Sequence, residues 1–317
     1  MLSPYLVFLI SILFLIVGSE LTIRGALRLS FKLNLSETFI GLTILAIGTD
    51  FPEIMIAVTG AIEKTKGFDA SNIIVGNIIG SNMGQIGLIL GIIGLFKGLS
   101  INKKQIIHNG LMLIVSTVVF FLVAMDNVIS RTEGLIMLGL YLLYTLIVKE
   151  KAQTWASKFI KKVRKKKGGV LIPIMQLALG LLIMGKASHY LLDSSLSIAR
   201  IFNVSDTFIG IVLVGVGTSL PELIVSINAL VKGSIGLSVG NLIGSNIVDV
   251  LVALGLGATI SNINVNQGAI SFDIPYLMII TVVVVLFMIS RYRFERRESV
   301  LVLSLYFVYI ALKFFNF

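Results

Sequence analysis

Four acidic residues stand in apolar surroundings in this chain: Asp50, Glu53, Glu222 and Asp249. Glu53 closes the hexapeptide GTDFPE and Glu222 closes GTSLPE. In each, a threonine lies four residues before the glutamate, so Thr49 and Glu53, or Thr218 and Glu222, share one face of a helix. Asp50 and Ser219 stand beside them. A second pair of blocks, GNIIGSN at 76–82 and GNLIGSN at 240–246, leads to two further polar stripes. Asn77, Ser81 and Gln85 are spaced i, i+4, i+8, as are Asn241, Ser245 and Asp249. Pro52 and Pro221 remove a backbone donor and crowd the carbonyl four residues earlier, so they interrupt their helices. The carbonyls near Ala46, Thr49, Gly215 and Thr218 then become oxygen donors. Carboxylates, hydroxyls, amides and carbonyls, with no Lys, Arg, Cys or His among them, make a set for hard cations. Ca²⁺, which takes 6–8 oxygens, and Na⁺ both suit it.

Keeping such residues is costly. One acid at the centre of a bilayer costs about 2.5–3.5 kcal/mol, and four cost on the order of 10 kcal/mol unless cations or protons neutralise them. The alternative reading of a single intramembrane glutamate is a protonated residue bonded to a neighbouring helix. Two at matching positions of a repeat argue against it. The repeat is explicit: Asn34–Glu53 and Asn203–Glu222 agree at ten of twenty positions, at an offset of 169 residues. The glycines of the second blocks read as close helix packing.

The elements that carry these residues span a membrane. The chain has 317 residues, 56% hydrophobic and 13% charged, with a mean hydropathy of +0.99. A soluble domain carries roughly 25% charged residues. Ten spans are expected, at about 4–27, 36–62, 70–96, 106–125, 131–148, 170–197, 205–230, 234–259, 268–290 and 298–316. The first is expected to be retained rather than cleaved as a signal peptide. With the N-terminus outside, 20 of the 26 Lys and Arg fall on inside segments, which favours both termini outside. The net charge of +10 is thereby an orientation signal, and no nucleic-acid partner is expected.

The basic stretch 149–169 is expected to be a solvated cytoplasmic linker. Its alternative is an amphipathic segment on anionic lipid, through Trp155, Phe159 and Ile160. Five spans precede it and five follow. An odd number inverts the second half, and inverted repeats with broken helices point to a secondary transporter with its site near the midplane. Absence of cysteine excludes thiolate chemistry. His108 and His189 are expected to be interfacial polar residues. An aspartyl protease built on Asp50 and Asp249 is disfavoured, because those positions do not match in the repeat. A passive cation channel stays open at this point; flux without an opposing ion gradient would reveal it.

GTDFPE with GNIIGSN, and GTSLPE with GNLIGSN, resemble the paired α-repeats of the cation/calcium antiporter superfamily, specifically its prokaryotic sodium/calcium exchangers. The resemblance covers essentially the whole chain. It implies an all-α membrane protein of ten helices in two inverted five-helix repeats, 1–148 and 170–317, with α-motifs at 41–87 and 210–251. It implies an antiporter rather than an enzyme, with no cofactor, working as a monomer in the cell membrane. It implies Ca²⁺ at Glu53 and Glu222 with the carbonyls of Thr49 and Thr218. Flanking Na⁺ sites would use Ser81, Ser219 and Ser245 with the carbonyls of Ala46 and Gly215. Spans 1 and 6 are expected to slide across a core of the other eight. Two positions depart from the family pattern. Asp50 stands where the first repeat commonly has Ser, and Gln85 where Asn is usual, opposite Asp249. Both put the coupling ion, Na⁺, H⁺ or K⁺, in question.

Overall fold

The computed structural model describes residues 3–33, 35–96, 99–100, 103–160, 169–201, 218–291 and 293–314. Eleven described helices carry it. They are α1 (Pro4–Leu33), α2 (Glu37–Thr49), α3 (Phe51–Thr65), α4 (Ser71–Phe96), α5 (Lys103–Ala124) and α6 (Arg131–Ile160). The second half adds α7 (Leu171–Ile201), α8 (Leu220–Val231), α9 (Ile235–Ile260), α10 (269–291) and α11 (Arg296–Phe314). Seven described helices are long and apolar enough to cross a membrane, eight when the bent pair α2–α3 counts as one span. The other two expected spans differ for identifiable reasons. The first part of 205–230 lies outside the described residues, leaving the short α8. Helix α11 carries Arg296, Arg297 and Glu298 in its first turn and Lys313 in its last.

Local chemistry sets the helix ends. Ser36 starts α2 by accepting from the Phe39 amide at 3.1 Å. Ser130 and Glu133 start α6 with reciprocal bonds, the Ser130 amide donating to Glu133 Oε2 at 2.7 Å and the Glu133 amide to Ser130 Oγ at 3.3 Å. Gly67 and Gly233 end α3 and α8 at φ +102° and +79°. Each is followed by an amide that reaches back five residues, Phe68 to Glu63 and Ser234 to Ala229. This glycine turn satisfies the last carbonyls of a helix, and it recurs in both halves. Helix α6 continues to Ile160, so the first part of the expected linker is helical. At 30 residues α6 is about 45 Å long, against a hydrocarbon core of about 30 Å, so it projects from the bilayer. The basic run 161–167 lies outside the described residues.

The chain forms two compact units that draw on both sequence halves: Met1–Thr49 with Thr145–Gly244, and Asp50–Tyr144 with Ser245–Phe317. In the first unit α1 packs along α7. A Cβ on Gly18 would meet Met184 and Gly180, and one on Gly25 would meet Leu177 and Pro173. As numbers rise on α1 they fall on α7, so these two helices, first of their halves, run antiparallel. In the same unit α2 lies on the start of α9. A Cβ on Gly240 would come 2.6 Å from Thr38 O, and one on Gly244 2.6 Å from Leu42 Cα. Only glycine allows backbones this close, which explains the glycines of GNLIGSN. In the second unit, two short antiparallel strand pairs join loops: Leu99–Ser100 with Arg293–Phe294, and Val128–Ile129 with Ile263–Asn264.

Candidate ion-binding site

The helix carrying Glu53 is broken. Helices α2 and α3 meet at 49°, with Asp50 at φ −78°, ψ 9° in the break and Pro52 in the first turn of α3. Proline is tolerated there because first-turn amides have no intrahelical partner. Two sets of orphan groups result. The last turn of α2, including Ala46, presents carbonyls, and the first turn of α3 presents N–H groups. Glu53 sits in that first turn and is fully buried. The N-terminal end of a helix favours an anion, which offsets part of the cost of the carboxylate. Helix α8 repeats the arrangement. Ser219 holds φ −87°, ψ 10°, Pro221 is in the first turn, and Glu222 is fully buried. Asp50 and Ser219 thus share one backbone geometry and differ only in side chain. Neither caps its helix with that side chain.

In the first unit Thr49 Oγ1 has three acceptors within reach: Leu45 O at 3.1 Å, Ala46 O at 3.2 Å and Asn241 Oδ1 at 3.3 Å. Asn241 in turn donates through Nδ2 to Ser226 Oγ at 3.3 Å. Thr49, Ala46 and Asn241, picked out from spacing, therefore gather in one buried group. Thr218 Oγ1 is buried with no hydrogen-bond partner among the described residues. Gly215 lies outside them.

The second unit holds a denser network. Ser81 Oγ donates to Asp249 Oδ2 at 2.8 Å, and Asn82 Nδ2 donates to the same oxygen at 3.0 Å. Gln85 Nε2 donates to Ser81 Oγ at 2.9 Å, while Asn246 Nδ2 donates to Gln85 Oε1 at 2.8 Å. All five side chains are essentially fully buried. Ser81 and Asn82 meet Asp249 while Gln85 meets Asn246, so α4 and α9 cross antiparallel here. Gln85 and Asp249 occupy equivalent repeat positions and play equivalent parts, each accepting from the asparagine of the opposite repeat. Both helices also widen at this point into π-helix, Gly84–Ile89 and Asp249–Leu254, a feature frequent at functional sites. Ser245 Oγ is buried and has no hydrogen-bond partner among the described residues, and Asn77 is half-buried. Asp50 is fully buried in this unit.

Asn82 and Asn246 escaped the reading by helical spacing because they lie one residue off the i, i+4 stripe. Their signal was the repeat itself, since both close the GSN tripeptide. Ser226 carried no such signal: Ala57 holds its place in the first half. Among the described residues no three acidic or histidine side chains converge as a metal cage.

The chain matches the sodium/calcium exchanger protein family over residues 3–149 and 172–315. The chain belongs to that family. Among relatives of the exchanger family, the sodium/calcium exchanger MaX1 of Methanosarcina acetivorans is 28% identical, over 98% of both chains. The putative antiporter CaxA of Alkalimonas amylolytica is 31% identical, over 96% of this chain and 97% of its own. Among solved structures, the sodium-calcium exchanger NCX_Mj soaked with 2.5 mM Na⁺ and 0.1 mM Ca²⁺ superposes with a TM-score of 0.80. It is 28% identical and is covered over 97% of each chain. The protein is an integral membrane protein of helical exchanger fold and belongs to a family of transporters, not enzymes.

Proposed function

We propose that this chain is a secondary antiporter that exchanges Ca²⁺ for Na⁺ by alternating access. The observation that carries this reading is the pair of fully buried glutamates, Glu53 and Glu222. Each lies in the first turn of a helix with proline in that turn, at matching repeat positions, in a chain of the sodium/calcium exchanger family. Ca²⁺ is held by their carboxylates with the carbonyls of Thr49 and Thr218. Na⁺ is held at flanking positions by Ser81, Ser219 and Ser245, the carbonyls of Ala46 and Gly215, and Asp50. Asn77, Asn241, Gln85 and Asp249 complete the polar lining.

The chain is read as two inverted repeats of five spans, 1–148 and 170–317, with both termini outside. Strand pairing supports this count. Loops that pair must lie on one side of the membrane, so an even number of spans separates them. Six expected spans lie between Ser100 and Arg293, and four between Ile129 and Ile263.

The test is Ca²⁺ uptake into proteoliposomes under imposed Na⁺ and pH gradients, with Glu53→Gln beside wild type. Uptake driven by outward Na⁺ and lost in the variant supports the reading. A pH gradient driving uptake in place of Na⁺ moves the coupling ion to H⁺. If neither gradient drives flux and the variant changes nothing, calcium exchange is the wrong assignment.

A further inference from the structure

A cleft of about 500 Å³ runs between α1 and α7, lined by Val7, Ile10, Phe14, Ile183, Lys186 and Tyr190 among others. It lies within the first unit and opens outward: Phe14 is 53% and Tyr190 56% exposed. On helices this apolar, an outward face meets lipid. The exception to its apolar lining is Lys186. It lies within the apolar span Leu171–Leu191 of α7, five residues before the end of that span and so about 7.5 Å from it along the helix, close to where headgroups begin. No acidic side chain among the described residues pairs with it. The nearest acid along that face, Asp193, is engaged by His189 at 3.4 Å. Ser11 spends its hydroxyl on Val7 O.

An unpaired ammonium in a span costs up to about 2.5–3.5 kcal/mol, the figure for the span centre. The described residues offer no counter-charge, and the long lysine stem lets the head reach along the cleft toward the membrane surface. An anion that can enter an apolar groove must itself carry hydrocarbon. We propose that this cleft is a phospholipid site. One acyl chain lies along Val7, Ile10, Phe14 and Ile183, and the phosphate of an anionic headgroup pairs with Lys186. A charge-assisted bond to phosphate is stronger than a neutral one. The volume falls within the roughly 300–1,000 Å³ typical of small-molecule clefts.

The test is native mass spectrometry of the full chain in a neutral detergent. Phosphatidylglycerol, diacylglycerol with the same chains, and inorganic phosphate are offered separately. Phosphatidylglycerol should remain bound, and neither of the others should. Lys186→Gln should lower its retention about tenfold, while Lys186→Arg keeps it, which shows that the fold is intact. Val7→Trp, which fills the cleft and leaves the charge, should also lower retention. The proposal is overturned if Lys186→Gln or Val7→Trp holds phosphatidylglycerol as well as wild type. Equal retention of diacylglycerol, or capture of free phosphate, overturns it too. Lipid retention involves no transport step, so the outcome is independent of the proposed exchange.

Discussion

Glu53 and Glu222 are fully buried in the first turn of a helix. Burial penalises a bare carboxylate, the helix N-terminus offsets only part of that cost, and a bound cation would supply the rest. Glu53→Gln and Glu222→Gln should each bring Ca²⁺ flux to the level of empty liposomes while leaving the detergent-solubilised protein monodisperse. Asn246 acts one step away: its amide orients Gln85, whose NH₂ then faces Ser81. Asn246→Ala should remove a hydrogen bond worth about 1 kcal/mol and shift half-saturation by Na⁺ several-fold, with a smaller effect on Ca²⁺. Equal shifts for both ions would mean that Asn246 serves the fold alone. Outside the spans, Asp69 is held at about 2 by the Ser71 hydroxyl first, then by the Ser71 amide, with help from Asn264 and Lys64. A lowered carboxyl stabilises the loop above its ordinary range and loses that contribution as pH falls through about 2. Carboxyl-carbon NMR should show that low midpoint in wild type and a rise toward the ordinary value in Ser71→Ala.

At the scale of elements, the broken helices matter more than the long ones. The prolines at 52 and 221 marked the breaks in advance, and the polar residues around them marked which faces turn inward. The π-widened turns at 84–89 and 249–254 had no legible signal; they carry Gln85 and Asp249, the two residues that accept from the off-stripe asparagines. Glycine carries the close approach of α2 to α9. Gly244→Val should cost at least 1–3 kcal/mol by overpacking, because the nearest atoms are backbone atoms of Leu42; a lowered melting temperature in detergent would report it. Gly233→Ala meets no neighbour, yet at φ +79° it should cost about 1–2 kcal/mol from the backbone alone. A melting point unchanged in both variants would show that neither approach nor turn is needed.

For the whole molecule, the absence of cysteine makes orientation directly measurable, since any introduced thiol is the sole one. Asp126→Cys should react with a membrane-impermeant maleimide from outside intact cells, and Ser100→Cys only after permeabilisation. The reverse pattern would place the termini inside. The compact units each mix residues from both repeats, so a fold built from two copies is not two copies side by side.

Composition and the duplicated motifs were enough to indicate a helical membrane transporter and to point to Thr49, Ser81, Asn241 and Asp249, while exchange was implied by the resemblance of those motifs to the antiporter family. These are one-dimensional signals: hydropathy, parity and repeat offset survive without coordinates. Which amide faces which oxygen was decided only by tertiary structure. So were the membership of Asn82, Asn246 and Ser226 and the cleft at Lys186. Those depend on helix rotation, local π-widening and the approach of segments far apart in the chain, and hydrophobic periodicity carries no record of them.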